Sequence, residues 1–195
     1  MMLILPFLSY ILATSFTPGP NNIMAMSNAN QHGLRKTFRF IFGVTVGFFA
    51  IMLLSSFFNL ILYNYIPRIK FVMNLLGSLY MAYLAFKIMK TSKKENKEQA
   101  NDTLNSFFTG FILQFVNPKG ILYGITAIST FVIPFYKSGL SLLLFSVLLA
   151  FVGFLSTFMW AVFGSLFQKF LSNYERPFHI AMGLLLLYSA ISIFL

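Results

Sequence analysis

Thr17-Pro18-Gly19-Pro20-Asn21-Asn22 lies inside residues 1–31, the first of several stretches of this 195-residue chain that carry no formal charge. An uncharged apolar stretch of about 18 residues or more matches a hydrocarbon layer about 30 Å thick at about 1.5 Å per residue. Within such a helix, proline removes a backbone donor and clashes with the preceding turn. The carbonyls so freed find no water in lipid, so irregular backbone survives there only when buried in protein or facing a watery cavity. Two prolines, a flexible glycine and two amides in six residues therefore predict a membrane helix that ends, breaks and restarts beside a cavity, with Pro20 in the first turn of the new half-helix.

Outward from this motif the rest of the chain reads the same way. Apolar residues make up 58% and charged residues 9%, with a mean hydropathy of +0.79, far from the balance of a soluble domain. Residues 40–66 and 138–168 are uncharged, and 71–86 is extended by Lys87, whose stem can snorkel to the interface. Residues 103–118 and 120–136 are separated by Lys119 alone, and 177–195 closes the chain. Six transmembrane spans are expected. A cleavable signal peptide is not, because nothing before His32 is basic.

The net charge of +10 does not indicate nucleic acid, since the basic residues lie between apolar runs and not on one soluble face. Topology accounts for it. With the N-terminus outside, Arg35, Lys36, Arg39, Lys87, Lys90, Lys93, Lys94, Lys97, Lys169 and Arg176 fall in cytoplasmic connections, against Arg68, Lys70 and Lys137 outside. The positive-inside rule thus puts both termini outside. The polar segment 91–104 reads as a cytoplasmic linker between halves 1–90 and 105–195.

At an offset of 100 residues, Thr17-Pro18-Gly19 falls on Asn117-Pro118-Lys119 and Thr14 on Gln114. Each half opens with a proline-broken span, and three spans per half invert the second copy relative to the first. The expected fold is an all-α integral membrane protein of six helices, built as two inverted three-helix repeats, a plan that places substrate sites at the paired breaks. The N-terminus of the restarted half-helix suits an amino-acid carboxylate, and the freed carbonyls of the preceding one suit an ammonium group. A kink that serves packing alone, with Asn21 and Asn22 bonded to neighbouring helices, is the other reading.

Lys119 favours the first. A lysine near mid-membrane costs about 2.5–3.5 kcal/mol on insertion scales, and no acid lies within any span: Glu95, Glu98, Asp102 and Glu175 all fall in proposed connections. Its charge must meet carbonyls, water or a bound carboxylate, unless the side chain snorkels to an interface. Thr17, Pro18, Gly19, Pro20, Asn21, Asn22, Gln114, Asn117, Pro118 and Lys119 are thus the expected substrate-binding residues. Gly43 and Gly47 on the second span, and Gly120 and Gly124 after the second break, form GxxxG pairs that suit helix packing, within the chain or in a homodimer. His32, His179 and Lys119 are the titratable groups left for proton coupling outside the tyrosines.

The absence of cysteine excludes disulfides, thiolate metal sites and thiol redox chemistry. An intramembrane protease would need paired aspartates or a serine–histidine couple. Neither an enzyme nor a cofactor or metal is expected; the partners are the lipid bilayer and a small amino acid.

Together, Thr17 to Asn22, His32-Gly33-Leu34-Arg35, the Gly43 and Gly47 pair and Asn117-Pro118-Lys119 resemble the LysE/RhtB family of amino-acid exporters across essentially the whole chain. Residues 113–124, followed by Ser129-Thr130-Phe131, look most like the branch that exports cysteine and O-acetylserine. The resemblance implies efflux of small neutral amino acids from cytoplasm to periplasm by alternating access; related branches that carry homoserine, threonine or leucine are the alternative, and a non-transporting scaffold subunit is a more distant one. Many relatives place an aspartate directly after the second glycine of the GxxxG pair, where this chain has Phe48. That departure weighs against carboxylate-based proton coupling and against cationic substrates.

Overall fold

The computed structural model describes residues 4–90, 103–166 and 174–192, with the side chains of all of these except 60–70, 73, 175 and 192. Among the described residues every regular element is helical. In chain order they are α1 (Ile4–Phe16), α2 (Pro20–His32), α3 (Leu34–Phe57), α4 (Asn59–Lys90), α5 (Phe107–Val116), α6 (Pro118–Thr126) running into a π-helical turn (Ala127–Val132), α7 (Gly139–Leu166) and α8 (Glu175–Ser192).

The local sequence explains most of the boundaries. α2 and α6 each begin on a proline, Pro20 and Pro118, at the position where a missing N–H costs nothing. α2 stops at Gly33, whose φ of +80° suits glycine and whose N–H returns to the Ala29 carbonyl at 3.0 Å. α5 is capped by Ser106, whose Oγ accepts from the Thr109 N–H at 3.1 Å. In the π-helical turn the Ile133 N–H reaches the Ile128 carbonyl at 2.9 Å, one residue further back than in an α-helix.

α3 lies against α5 and α7, α2 is enclosed between α7 and α3, and α4 pairs with α8. Small residues permit the closest crossings. A Cβ at Gly43 or Gly47 would strike the backbone of Phe107 or Phe111, and one at Gly110 would strike that of Phe40 and Val44, so α3 and α5 touch backbone to backbone. Gly164 lets α7 meet the Met26 carbonyl in the same way. Gly124 faces the flexible Met52 side chain, and a Cβ at Gly120 would meet nothing closer than 3.7 Å. Of the two glycine pairs expected to serve packing, only Gly43 and Gly47 sit at a backbone crossing; the second pair has looser neighbours because α6 is held off α3 by Met52 and Phe48.

Two apolar clusters form the interior. One gathers Ile23, Met24, Phe40, Val44, Leu84 and Leu186 around α2, and the other gathers Phe7, Phe48, Met52, Tyr123, Ile128 and Leu149 around α6 and α7. The outer surface is also apolar: Phe42, Phe71, Phe108, Leu140, Leu144 and Phe151 are exposed, while Asn22, Asn28, Asn30 and Gln114 are buried. Such an inverted distribution suits hydrocarbon and not water as the surrounding solvent. Among the described residues α3 and α7 are each long and apolar enough to cross a bilayer, and α5 with α6 and its π-helical extension is so only as a pair, bent by 64° at Asn117 as a broken span or a re-entrant loop.

Two expectations change. The second span, read as 40–66, ends at Phe57, and the third begins at Asn59, so Arg68 and Lys70 lie within α4 and not in a connection. Arginine and lysine are good helix formers, so a charge marks depth in a membrane without stopping a helix. The prolines that start helices are Pro20 and Pro118, 98 residues apart, where the sequence comparison had aligned Pro18 with Pro118. Most of the expected linker, 91–102, and Lys93, Lys94, Lys97 and Lys169 lie outside the described residues.

Candidate functional site

Between α1 and α2 the chain runs through Thr17, Pro18 and Gly19 without helical structure, and seven consecutive carbonyls there can be followed to their donors. The Ala13 carbonyl takes the Thr17 N–H at 3.2 Å, and the Thr14 carbonyl takes Thr17 Oγ1 at 2.9 Å. Ser15 accepts from Asn22 Nδ2 at 2.9 Å and from Ser156 Oγ at 2.7 Å, and Phe16 from Trp160 Nε1 at 3.2 Å. The Thr17 carbonyl accepts from Asn22 Nδ2 and from Lys119 Nζ, each at 3.1 Å; the Pro18 carbonyl accepts from Lys119 at 3.3 Å; and Gly19 accepts from the Ile23 N–H at 3.0 Å. Every backbone acceptor freed by the Pro-Gly-Pro run thus has a donor, as low-dielectric surroundings require. Lys119 Nζ completes its three donations with Thr17 Oγ1 at 2.8 Å.

The second break is a single residue. Asn117 is extended, and its carbonyl accepts from Gly120 and Ile121 as α6 restarts. Amides tie the two breaks together. Asn21 and Gln114 exchange reciprocal hydrogen bonds of 2.8 and 3.0 Å, and Asn117 Nδ2 donates to Asn21 Oδ1 at 3.3 Å. Asn117 Oδ1 is buried and has no partner. An amide acceptor left open in a buried site is a position where a ligand donor gains a full hydrogen bond.

A cavity of about 50 Å³ lies between the breaks. A buried water needs roughly 10–15 Å³ on this measure, so the space admits a few waters or the head of a small amino acid. Gly19, Pro20, Asn21 and Asn22 of the first break and Asn117, Lys119 and Gly120 of the second line it, joined by Thr14 and Ser15 of α1, Val44, Thr45 and Phe48 of α3, Tyr123 of α6 and Gly153 and Thr157 of α7. Neither α2 nor α6 has a side-chain cap; in α6 the Gly120 and Ile121 N–H groups turn back to the Asn117 carbonyl, while α2 brings its first-turn residues Asn21 and Asn22 to the cavity lining.

Six of the ten residues expected to bind substrate therefore stand on one wall: Gly19, Pro20, Asn21, Asn22, Asn117 and Lys119. Thr17 and Pro18 lie behind it, holding the Lys119 ammonium. Gln114 is fully buried and supports Asn21, and Pro118 packs against Gly77. The carbonyls that the sequence reading assigned to a substrate ammonium are occupied by Lys119 itself. His179, buried on α8 beside Gln31 at 3.1 Å, is not part of the cavity wall. Sequence reasoning did not reach Thr45, Tyr123, Gly153 and Thr157; the small and polar run Gly153, Ser156, Thr157 inside the otherwise apolar α7 was the available signal, because such residues in lipid-spanning sequence face protein or a cavity.

Residues 12–195 match the family model described as LysE type translocator. The chain is 42% identical over 188 residues to a cysteine/O-acetylserine efflux protein of Escherichia coli strain K12, covering 96% of this chain and 95% of that protein. It is 41% identical over 193 residues to the cysteine/O-acetylserine efflux protein of Shigella flexneri serotype 5b, covering 99% and 98%. No solved structure gives a significant match.

Proposed function

Because this chain belongs to the LysE type translocator family, and is a membrane-embedded transporter and not an enzyme, we propose that it exports cysteine and O-acetylserine from cytoplasm to periplasm across a bacterial inner membrane. Its relatives carry the name of that activity over nearly their full length. The observation that carries the reading is the cavity at the paired breaks, lined by Lys119, by the amides Asn21, Asn22 and Asn117 and by the uncapped N-terminus of α2.

A zwitterion fits these groups by charge. The carboxylate meets the first-turn N–H groups of α2 and the positive charge of Lys119, while the ammonium donates to Asn117 Oδ1. Lys119 enters with all three donors committed to Thr17 and Pro18. A carboxylate must therefore replace at least one of those oxygens, loosening the link between the first break and the second. That exchange couples substrate arrival to relative movement of the two halves, residues 1–90 and 105–195, which act as inverted three-helix repeats in six spans with both termini periplasmic. The two ligand states differ in their contacts at the hinge, which is what a population shift between inward- and outward-open forms requires.

The test is transport of radiolabelled O-acetylserine and cysteine into inside-out vesicles with and without the protein. Saturable uptake that depends on the protein is expected. Equal uptake in both preparations overturns the substrate assignment, and selective uptake of threonine, homoserine or leucine instead would move the protein to another branch of the family.

A further inference from the structure

Beyond Lys119 and the amides, the cavity is lined by Val44, Thr45 and Phe48 of α3, Tyr123 of α6 and Gly153 and Thr157 of α7, and Phe48 is held in place on three sides. A Cβ on Gly153 would stand 2.8 and 2.9 Å from Phe48 Cδ1 and Cε1, so the ring rests directly on the α7 backbone. On α6 a Cβ at Gly120 would meet the opposite ring edge at 3.7 and 3.8 Å, and the Tyr123 ring lies 5.5 Å away, centroid to centroid. Phe48 itself is 7% exposed. A ring with two torsions, enclosed by two glycines and a second ring, cannot retreat when a longer side chain enters.

We propose that Phe48, wedged between Gly120 and Gly153, is the specificity-determining residue that limits the transported amino acid to a small, uncharged side chain. With the carboxylate and ammonium held at the polar wall, the side chain projects toward Phe48. Lys119 is the one charged side chain among the described residues lining the cavity, so a cationic substrate side chain would lose its water with no counter-charge, and an anionic one would have to compete with the substrate's own carboxylate for Lys119. Bulkier neutral side chains, such as that of phenylalanine, meet the ring. This role rests on the cavity being the exporter's substrate site.

The experiment compares O-acetylserine, cysteine, phenylalanine and lysine transport in vesicles carrying wild type, Phe48→Ala, Phe48→Leu or Gly153→Ala, with folded protein quantified by size exclusion. Phe48→Ala should raise the phenylalanine to O-acetylserine ratio by about tenfold or more, the scale of a pocket change of this size, and Phe48→Leu should move it the same way by less. Gly153→Ala, which pushes the ring into the cavity, should lower O-acetylserine relative to the smaller cysteine. An unchanged ratio in folded Phe48→Ala, or in Phe48→Leu if the alanine variant does not fold, overturns the proposal while leaving the transport reading intact. Absence of wild-type flux of O-acetylserine and cysteine strikes the transport reading itself.

Discussion

The two helix breaks differ in how they are held. The second, Asn117 alone, closes on itself: its N–H contacts the Gln114 carbonyl at 3.4 Å and its carbonyl receives the first turn of α6. The first, three residues long, takes its donors from Asn22 on α2, Lys119 on α6, and Ser156 and Trp160 on α7. Two prolines and a glycine remove local partners, so the conformation of residues 17–19 is imposed by side chains from elsewhere. A break whose hydrogen bonds come from other helices changes when those helices move. One that closes locally serves as a fixed cap.

This contrast can be broken most severely at the link between the breaks. Lys119→Leu removes the positive charge from the cavity and leaves the Pro18 carbonyl without its donor; protein-dependent transport of O-acetylserine should fall below detection, read in the vesicle assay with folded protein normalised. Asn22→Ala comes next. It removes the amide that serves both Ser15 and Thr17, and leaving such acceptors short of a donor costs about 1–3 kcal/mol, with the lower end expected because Ser156 and Lys119 still reach them. A lower thermal midpoint in detergent and poorer folded yield are the measurements, and a midpoint equal to wild type would show that the first break needs less outside support than its hydrogen bonds indicate.

Matched alanine substitutions at the two α-helix starts sharpen the comparison further. A Cβ at Gly19 would stand 3.1 Å from Lys119 Nζ and 3.2 Å from its Cδ, the flexible end of a side chain. Gly19→Ala should therefore keep the folded yield but displace the ammonium, lowering transport severalfold at unchanged thermal midpoint. Gly120→Ala, with 3.7 Å to its nearest neighbours, should have the smallest effect of the four on both readouts. Equal losses for the two glycine variants would mean that Lys119 position is not what the first break controls.

Much of this was legible in the sequence because bilayer constraints are strong and local. Pro20 and Pro118 start half-helices for reasons contained in the proline ring, and the uncharged runs read as 40–66 and 138–168 called for helix, which α3 and α7 supply over 40–57 and 139–166. Gly43 and Gly47 were recognisable as a close-packing pair, though their partner, Gly110 on α5, was not, since no spacing rule joins positions on different helices. Gln114, read from the sequence as a ligand group near a break, has its amide bonded to Asn21 and to the Gly110 carbonyl at 3.0 Å, partners that no spacing within one helix reveals. Arg68 and Lys70 misplaced a boundary because charge reports where a side chain can reach and not where the backbone turns.

Sequence alone determined that this chain is helical and apolar, that two proline breaks interrupt it, and that an unpaired lysine beside the second needs neutral or borrowed partners, because each follows from backbone donors and charge in a medium without water. Tertiary structure alone decided that Lys119 reaches the carbonyls of the first break, that Asn117 keeps an open acceptor, and that Phe48 closes the cavity against Gly153, because each depends on which helices come within a few ångströms of one another. Periodicity within one helix carries no record of that distance.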